Sequence, residues 1–270
     1  MFIHINIIIM AEEELPNPSG LLIYFLVISI IYLIYTAIQL FTSGSGNNIE
    51  ALSEKANNMN LNIAYILVLI IGTYFINTNI SKAMCGSQEI DWLNILFITL
   101  LPWLIIFIVL YFLLEIFPGW VTPFSNTIGY LVVTLLGVET KLEDMLNEVT
   151  YNKDRELVKA IGNIQSNKSK FINQFNEKPQ EFREFIIKLG NVEIIKNDYK
   201  LNDQGYDCDK KLADIYKLVL LKHVIGKLFW YILAGVLISS ITYSFIINLT
   251  CNKTIEEARR EYEDFIDSDD

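Results

Sequence analysis

Histidine and cysteine are scarce in this chain: 270 residues hold two histidines, His4 and His223, and three cysteines, Cys85, Cys208 and Cys251. The cysteines are far apart and form no CxxC pair, so neither a disulfide framework nor a zinc site is expected. HExxH, GxSxG and the phosphate-binding GxxxxGK[ST] pattern are all missing. The sequence therefore nominates no catalytic residue, no cofactor and no metal ligand, and His223, beside an apolar face, reads as a packing or interfacial residue. Positive charge is not in excess either, and a formal net charge of −10 argues against nucleic acid as a partner. The opening "MFIHINIIIM" has no basic leader and runs into Glu12, Glu13 and Glu14, so signal-peptide cleavage is not expected, and Met10 reads as an alternative start.

What is abundant is apolar sequence, 52% of the residues. Residues 21–41, 61–80 and 228–249 carry no charge, and 92–117 carry only Glu115. Since roughly 20 apolar helical residues cross the hydrocarbon layer, four crossings are predicted. Within the third run Pro102 removes a backbone donor near the middle and predicts a kink. Trp92, Trp103, Tyr111 and Trp120 read as interfacial or interhelical positions, with Trp103 too central for a belt. Glu115 is the one ionisable side chain inside a span. Such a charge is a functional candidate by default, but three residues before Pro118 it lies near the interface, and snorkelling to water is the expected behaviour.

The composition changes abruptly over residues 139–227, with 16 Lys or Arg against 15 Asp or Glu, and the pattern there is helical. Phe182, Phe185, Ile186 and Leu189 follow Pro179 at helical spacing. Leu212, Ile215, Tyr216, Val219 and Leu220 share one side of a helix expected to run on into the fourth span. The intervening "NVEIIKNDYKL" is compatible with a strand pair or a loop. Domain boundaries follow: an N-terminal tail at 1–20, a three-span unit at 21–117, a turn with an interfacial or re-entrant helix at 118–138, a charged soluble domain at 139–227, a fourth span at 228–249 and an acidic tail at 250–270. That tail has three basic and eight acidic residues and a capping-box start at Thr254 and Glu257, which predicts a short amphipathic helix. The fold class is all-α, a multi-spanning membrane protein with a helical soluble insert. Lys210, Lys211, Lys217, Lys222 and Lys227, just before the fourth span, place the insert on the cytosolic side. In that span Ala234, Gly235 and Ser239 form a small-residue face for close helix packing, in cis or against a second copy, leaving self-association open.

Between the third span and the insert lies "FPGWVTPFSNTIGYLVV". Pro118 and Gly119 end the span, Trp120 suits the headgroups, and Pro123 delays the next helix. Ser125, Asn126 or Thr127 would cap a helix over 128–138, too short to cross the membrane. "TIGY" is similar to the potassium-filter sequence TVGYG, but Leu131 replaces the final glycine and Pro123 stands where a pore helix should precede it. A channel or transporter subunit remains the alternative function, with Glu115 and Asn126 lining a path. The stretch as a whole resembles the signature of a transmembrane minor capsid protein family of large icosahedral DNA viruses, whose members lie between an internal membrane and the capsid. The resemblance covers about 20 residues. It implies that Pro118, Gly119, Trp120, Pro123, Phe124, Ser125, Asn126, Thr127, Gly129 and Tyr130 are a structural signature. It also implies no catalysis, with lipid and other capsid proteins as partners, at the virion inner membrane or a host internal membrane during assembly.

Overall fold

The computed structural model describes residues 19–42, 48–85, 90–148, 155–199, 201 and 210–249. Those residues are helical almost throughout, with an isolated antiparallel bridge, Leu146 to Ile195, in place of any strand pair. The expected helix in the acidic tail lies outside the described residues.

Four helices are long and apolar enough to cross a membrane. The first is α1 (Ser19–Thr42). The second is α3 (Met59–Cys85), preceded by the short α2 (Ile49–Ala56), and the third joins α4 (Trp92–Pro102) to α5 (Ile108–Ile116). The fourth is the C-terminal half of α12 (Lys210–Ile247). Their outward faces carry Ile30, Ile34, Leu67, Ile71, Phe97, Phe112 and Phe245, all exposed, as helices surrounded by lipid do. The kink expected at Pro102 takes the form of a π-helical turn, Trp103–Phe107, because proline supplies no N–H to the turn before it. Trp103 is not a belt residue: it is 1% exposed and stacks with Phe107, which stacks in turn with Tyr231 of α12.

Polar side chains tie the spans together where lipid offers no partner. Ser29 and Tyr65 are hydrogen-bonded at 2.8 Å, Tyr32 donates to Asn62 at 2.7 Å, and Asn77 donates to Thr99 at 2.8 Å. The small-residue face packs in cis, with Gly235 directly under the Phe25 ring of α1 and Ala234 and Ser239 buried. Cys85, at the end of α3, is disulfide-bonded. The cysteine spacing supported no disulfide framework, and a single bridge between distant residues leaves no such pattern in the sequence.

The soluble layer consists of α8 (Val138–Met145), α9 (Arg155–Ser166), α10 (Lys168–Ile172), α11 (Pro179–Asn191) and the first half of α12. Its core is an aromatic row in which Phe171 meets Phe175 edge-on, and Phe175, Phe182 and Tyr216 follow at tilted contacts. Residues 218–221 of α12 are buried on every side, which marks it as the central helix of the molecule. Because α12 is unbroken over 38 residues, it runs about 57 Å from the soluble layer into the membrane. The loop before the second span also contributes: α2, capped by Asn48, pairs Glu50 with Arg183 of α11 and so belongs to this layer.

The segment after the third span departs most from expectation. Helix begins at Pro118, ten residues before Ile128: a 3-10 turn (Pro118–Trp120), then α6 (Thr122–Phe124), a π-helical turn (Ser125–Gly129) and α7 (Tyr130–Leu135). Pro123 does not delay the helix. It sits in the first turn, where a missing N–H costs nothing. Ser125, Asn126 and Thr127 consequently lie inside the helix and cap nothing. The run ends at Gly137, whose φ of 82° is open to glycine at little cost, and the chain bends by 85° into α8.

Candidate functional site

Pro118–Leu135 runs along α12 in the opposite direction, and Trp120, Phe124, Ser125, Asn126 and Gly129 meet it there. Trp120 offers its backbone carbonyl to the Trp230 indole N–H at 2.6 Å, and Phe124 stacks on Phe229 with ring centroids 5.8 Å apart. One turn further on, the two backbones nearly touch. A Cβ on Gly226 would sit 2.8 Å from the Ser125 nitrogen, and one on Gly129 would sit 2.5 Å from the Lys222 carbonyl oxygen. Both positions need glycine because the opposing backbone fills the space of a methyl group. Ser125 is buried in the same contact, Thr127 returns its hydroxyl to the Pro123 carbonyl at 2.5 Å, and Tyr130 donates to Glu139 of α8 at 2.6 Å. Pro118 and Gly119 stand at the start of the climb, where a side chain on Gly119 would meet open space.

The polar centre of this junction is Lys222, 3% exposed. Its ammonium donates to the side-chain carbonyls of Asn126, in the signature, and Asn173, just after α10, both at 2.9 Å. An ammonium removed from water without a countercharge costs on the order of several kcal/mol, which two neutral acceptors offset only in part. Burial accordingly pushes Lys222 down to about 8, while Glu177 pulls the other way. These groups precede Lys227 and the uncharged run at 228–249.

Beside Lys222, His223 turns its Nδ1 toward a Glu177 carboxylate oxygen at 3.5 Å, and the Glu177 carbonyl accepts from the Tyr216 hydroxyl at 2.6 Å. The distance alone suits an ion pair. Burial, with Lys227, Lys222 and Lys178 close by, nevertheless pushes the ring well below its ordinary range, so Glu177 faces a neutral imidazole at neutral pH. A histidine and a carboxylate thus do meet just ahead of the uncharged run of α12. Among the described residues, however, no hydroxyl or thiol is hydrogen-bonded to the ring, and no group of three or more His, Cys, Asp or Glu side chains is placed to hold a metal ion.

No protein-family model, curated protein or solved structure matches the chain. The junction is therefore read from its own contacts. A cavity of about 350 Å³ opens between the signature and the soluble layer, with Gly119, Asn126, Asn173, Glu177, Lys222 and His223 in its wall. Glu115, the intramembrane charge of the sequence reading, lies outside this group and meets Lys227 at 2.6 Å, with Asn57 on the other side of the same ammonium. It is half-exposed, as a snorkelling carboxylate is. Sequence reasoning counted Lys222 only as a basic residue flanking a span. The available signal was the pair Lys222–His223 set inside "LVLLKHVIG", where the apolar neighbours leave no polar face for it.

Proposed function

We propose that this protein is a non-enzymatic structural anchor that ties the inner membrane of a large icosahedral DNA virus to its capsid shell, with other capsid proteins as partners. The observation that carries the reading is the continuity of α12, which joins the aromatic core of the soluble layer to the membrane without a hinge. The signature helix supports it by packing glycine against backbone along the same stretch, a rigid splint at the point where a load would bend the molecule. Individually weak contacts to a shell suffice when many copies act on one lattice, since effective concentration replaces affinity.

The rival reading, a channel or transporter subunit, needs Glu115 and Asn126 on one water-filled path. Their engagement with Lys227 and Lys222, respectively, supports anchoring instead. The test is to express the full chain together with the major capsid protein of an icosahedral virus that has an inner membrane and to float the membranes on a density gradient. Capsid protein should rise with membranes only when this chain is present. Capsid protein that stays in the dense fractions, together with unitary currents from the purified protein in planar bilayers, would reverse the choice.

A further inference from the structure

The anchoring role leaves Lys222 and its cavity unused. Among the described residues no carboxylate lies within ion-pair distance of the Lys222 ammonium, and two amide oxygens occupy two of its three donors. Glu177 is the complementary case, a carboxylate in the same cavity wall that faces a neutral ring. Glu181, the other acid there, is already held by Asn176 at 2.6 Å and Lys178 at 3.5 Å. The cavity wall therefore carries a buried ammonium and a carboxylate that feel each other's charge without forming an ion pair.

Depth narrows the choice of ligand. Lys222 lies five residues beyond Lys227 on α12, about 7.5 Å along the axis. With the hydrocarbon edge set at Lys227, where the uncharged run begins, a headgroup layer of roughly 5–8 Å reaches to the level of Lys222. Pro118 and Gly119, where the third span leaves the membrane, form part of the cavity wall, and the space beside Gly119 is open.

We infer that this cavity binds a zwitterionic aminoalkyl phosphate, its phosphate against Lys222 and its amine against Glu177. A phosphatidylethanolamine headgroup and a soluble phosphoethanolamine ester share that chemistry, and the depth of the site favours the lipid. The site is independent of the anchoring reading, because a headgroup can be held whether or not a capsid lies above.

The test uses the full-length protein, purified in a non-ionic detergent and stripped of lipid. It is titrated separately with dihexanoyl phosphatidylethanolamine, dihexanoyl phosphatidylglycerol, glycerophosphoethanolamine and inorganic phosphate, reading phosphorus-31 line broadening. Saturable binding of the ethanolamine lipid is expected, at least tenfold weaker in Lys222→Met and in Gly119→Phe, which narrows the cavity from a position open to solvent. Glu177→Gln should retain phosphate binding and lose the preference for ethanolamine over glycerol. Glycerophosphoethanolamine binding as tightly as the lipid would keep the site and move its ligand into solution. Binding that survives Lys222→Met, or no saturable binding of any of the four probes, overturns the inference.

Discussion

Replacing Gly129 by alanine probes the tightest approach of a described glycine to an opposing backbone. The added carbon would lie 2.5 Å from the Lys222 carbonyl oxygen, 3.0 Å from its Cγ and 3.2 Å from its carbonyl carbon. A comfortable carbon-to-oxygen approach is roughly 3.3–3.6 Å, even for the weakly attractive kind. The two helices must therefore separate by nearly an ångström, and the principal obstacle is backbone, which no rotamer change can clear. Overpacking of this kind costs about 1–3 kcal/mol, and loosening the Trp230 to Trp120 bond adds about 1 kcal/mol. Against this, alanine gains up to about 1 kcal/mol over glycine in a helix. The net loss is about 2 kcal/mol, or about 4–8 °C in the thermal midpoint of a protein of this size. Gly162→Ala is the control: it lies within α9 with nothing near its missing Cβ, so only the propensity gain applies. Tryptophan-fluorescence melting of the detergent-solubilised protein compares the two. Equal or raised midpoints in both variants would show that the helices do not approach as closely as described, and the account of the signature glycines would fail.

Three further outcomes follow from the same contacts. Lys222 has a folded pKa below its ordinary 10.5, so the unfolded chain binds the proton more tightly; stability of the lipid-stripped protein should rise from about pH 8 to 10.5. The penalty is fully present below pH 8, and Lys222→Met should flatten this rise, as melts across the range will reveal. Glu115→Gln removes one member of a half-exposed ion pair and should cost less than about 1 kcal/mol without altering the protease-protection pattern of the sealed vesicle. Trp230→Phe keeps the ring but loses the donor to Trp120, and chemical denaturation should register a loss of about 1 kcal/mol.

The spans were legible because length and absence of charge are the whole requirement for crossing lipid, and nothing tertiary overrides them. The continuity of α12 was legible as well, since Leu212, Ile215, Tyr216, Val219 and Leu220 keep helical period right up to the apolar run. The signature was harder. Proline reads as a breaker from sequence alone, yet Pro123 occupies a first turn, where its ring fits, and Ser125, Asn126 and Thr127 fit a cap equally well by composition. What decided between them was the opposing face of α12, about 100 residues away. Lys222 was hidden for a related reason: its meaning comes from Asn126 and Asn173, which approach it from two other segments. Likewise α2 gave no sign of joining the soluble layer, because Glu50 and Arg183 are 133 residues apart.

Three separate stretches of backbone enter the soluble layer from the membrane: α12, the continuation of the third span through Pro118–Leu135, and α2 from the loop after α1. A head on a single stalk can swivel freely, whereas one held by three separate stretches of backbone resists rotation about any one of them. Every copy of this chain thus turns the same side of its head in a direction dictated by its own spans. On a curved surface tiled by repeating units, such a molecule carries angular information, and neighbours set at the wrong rotation would present mismatched faces.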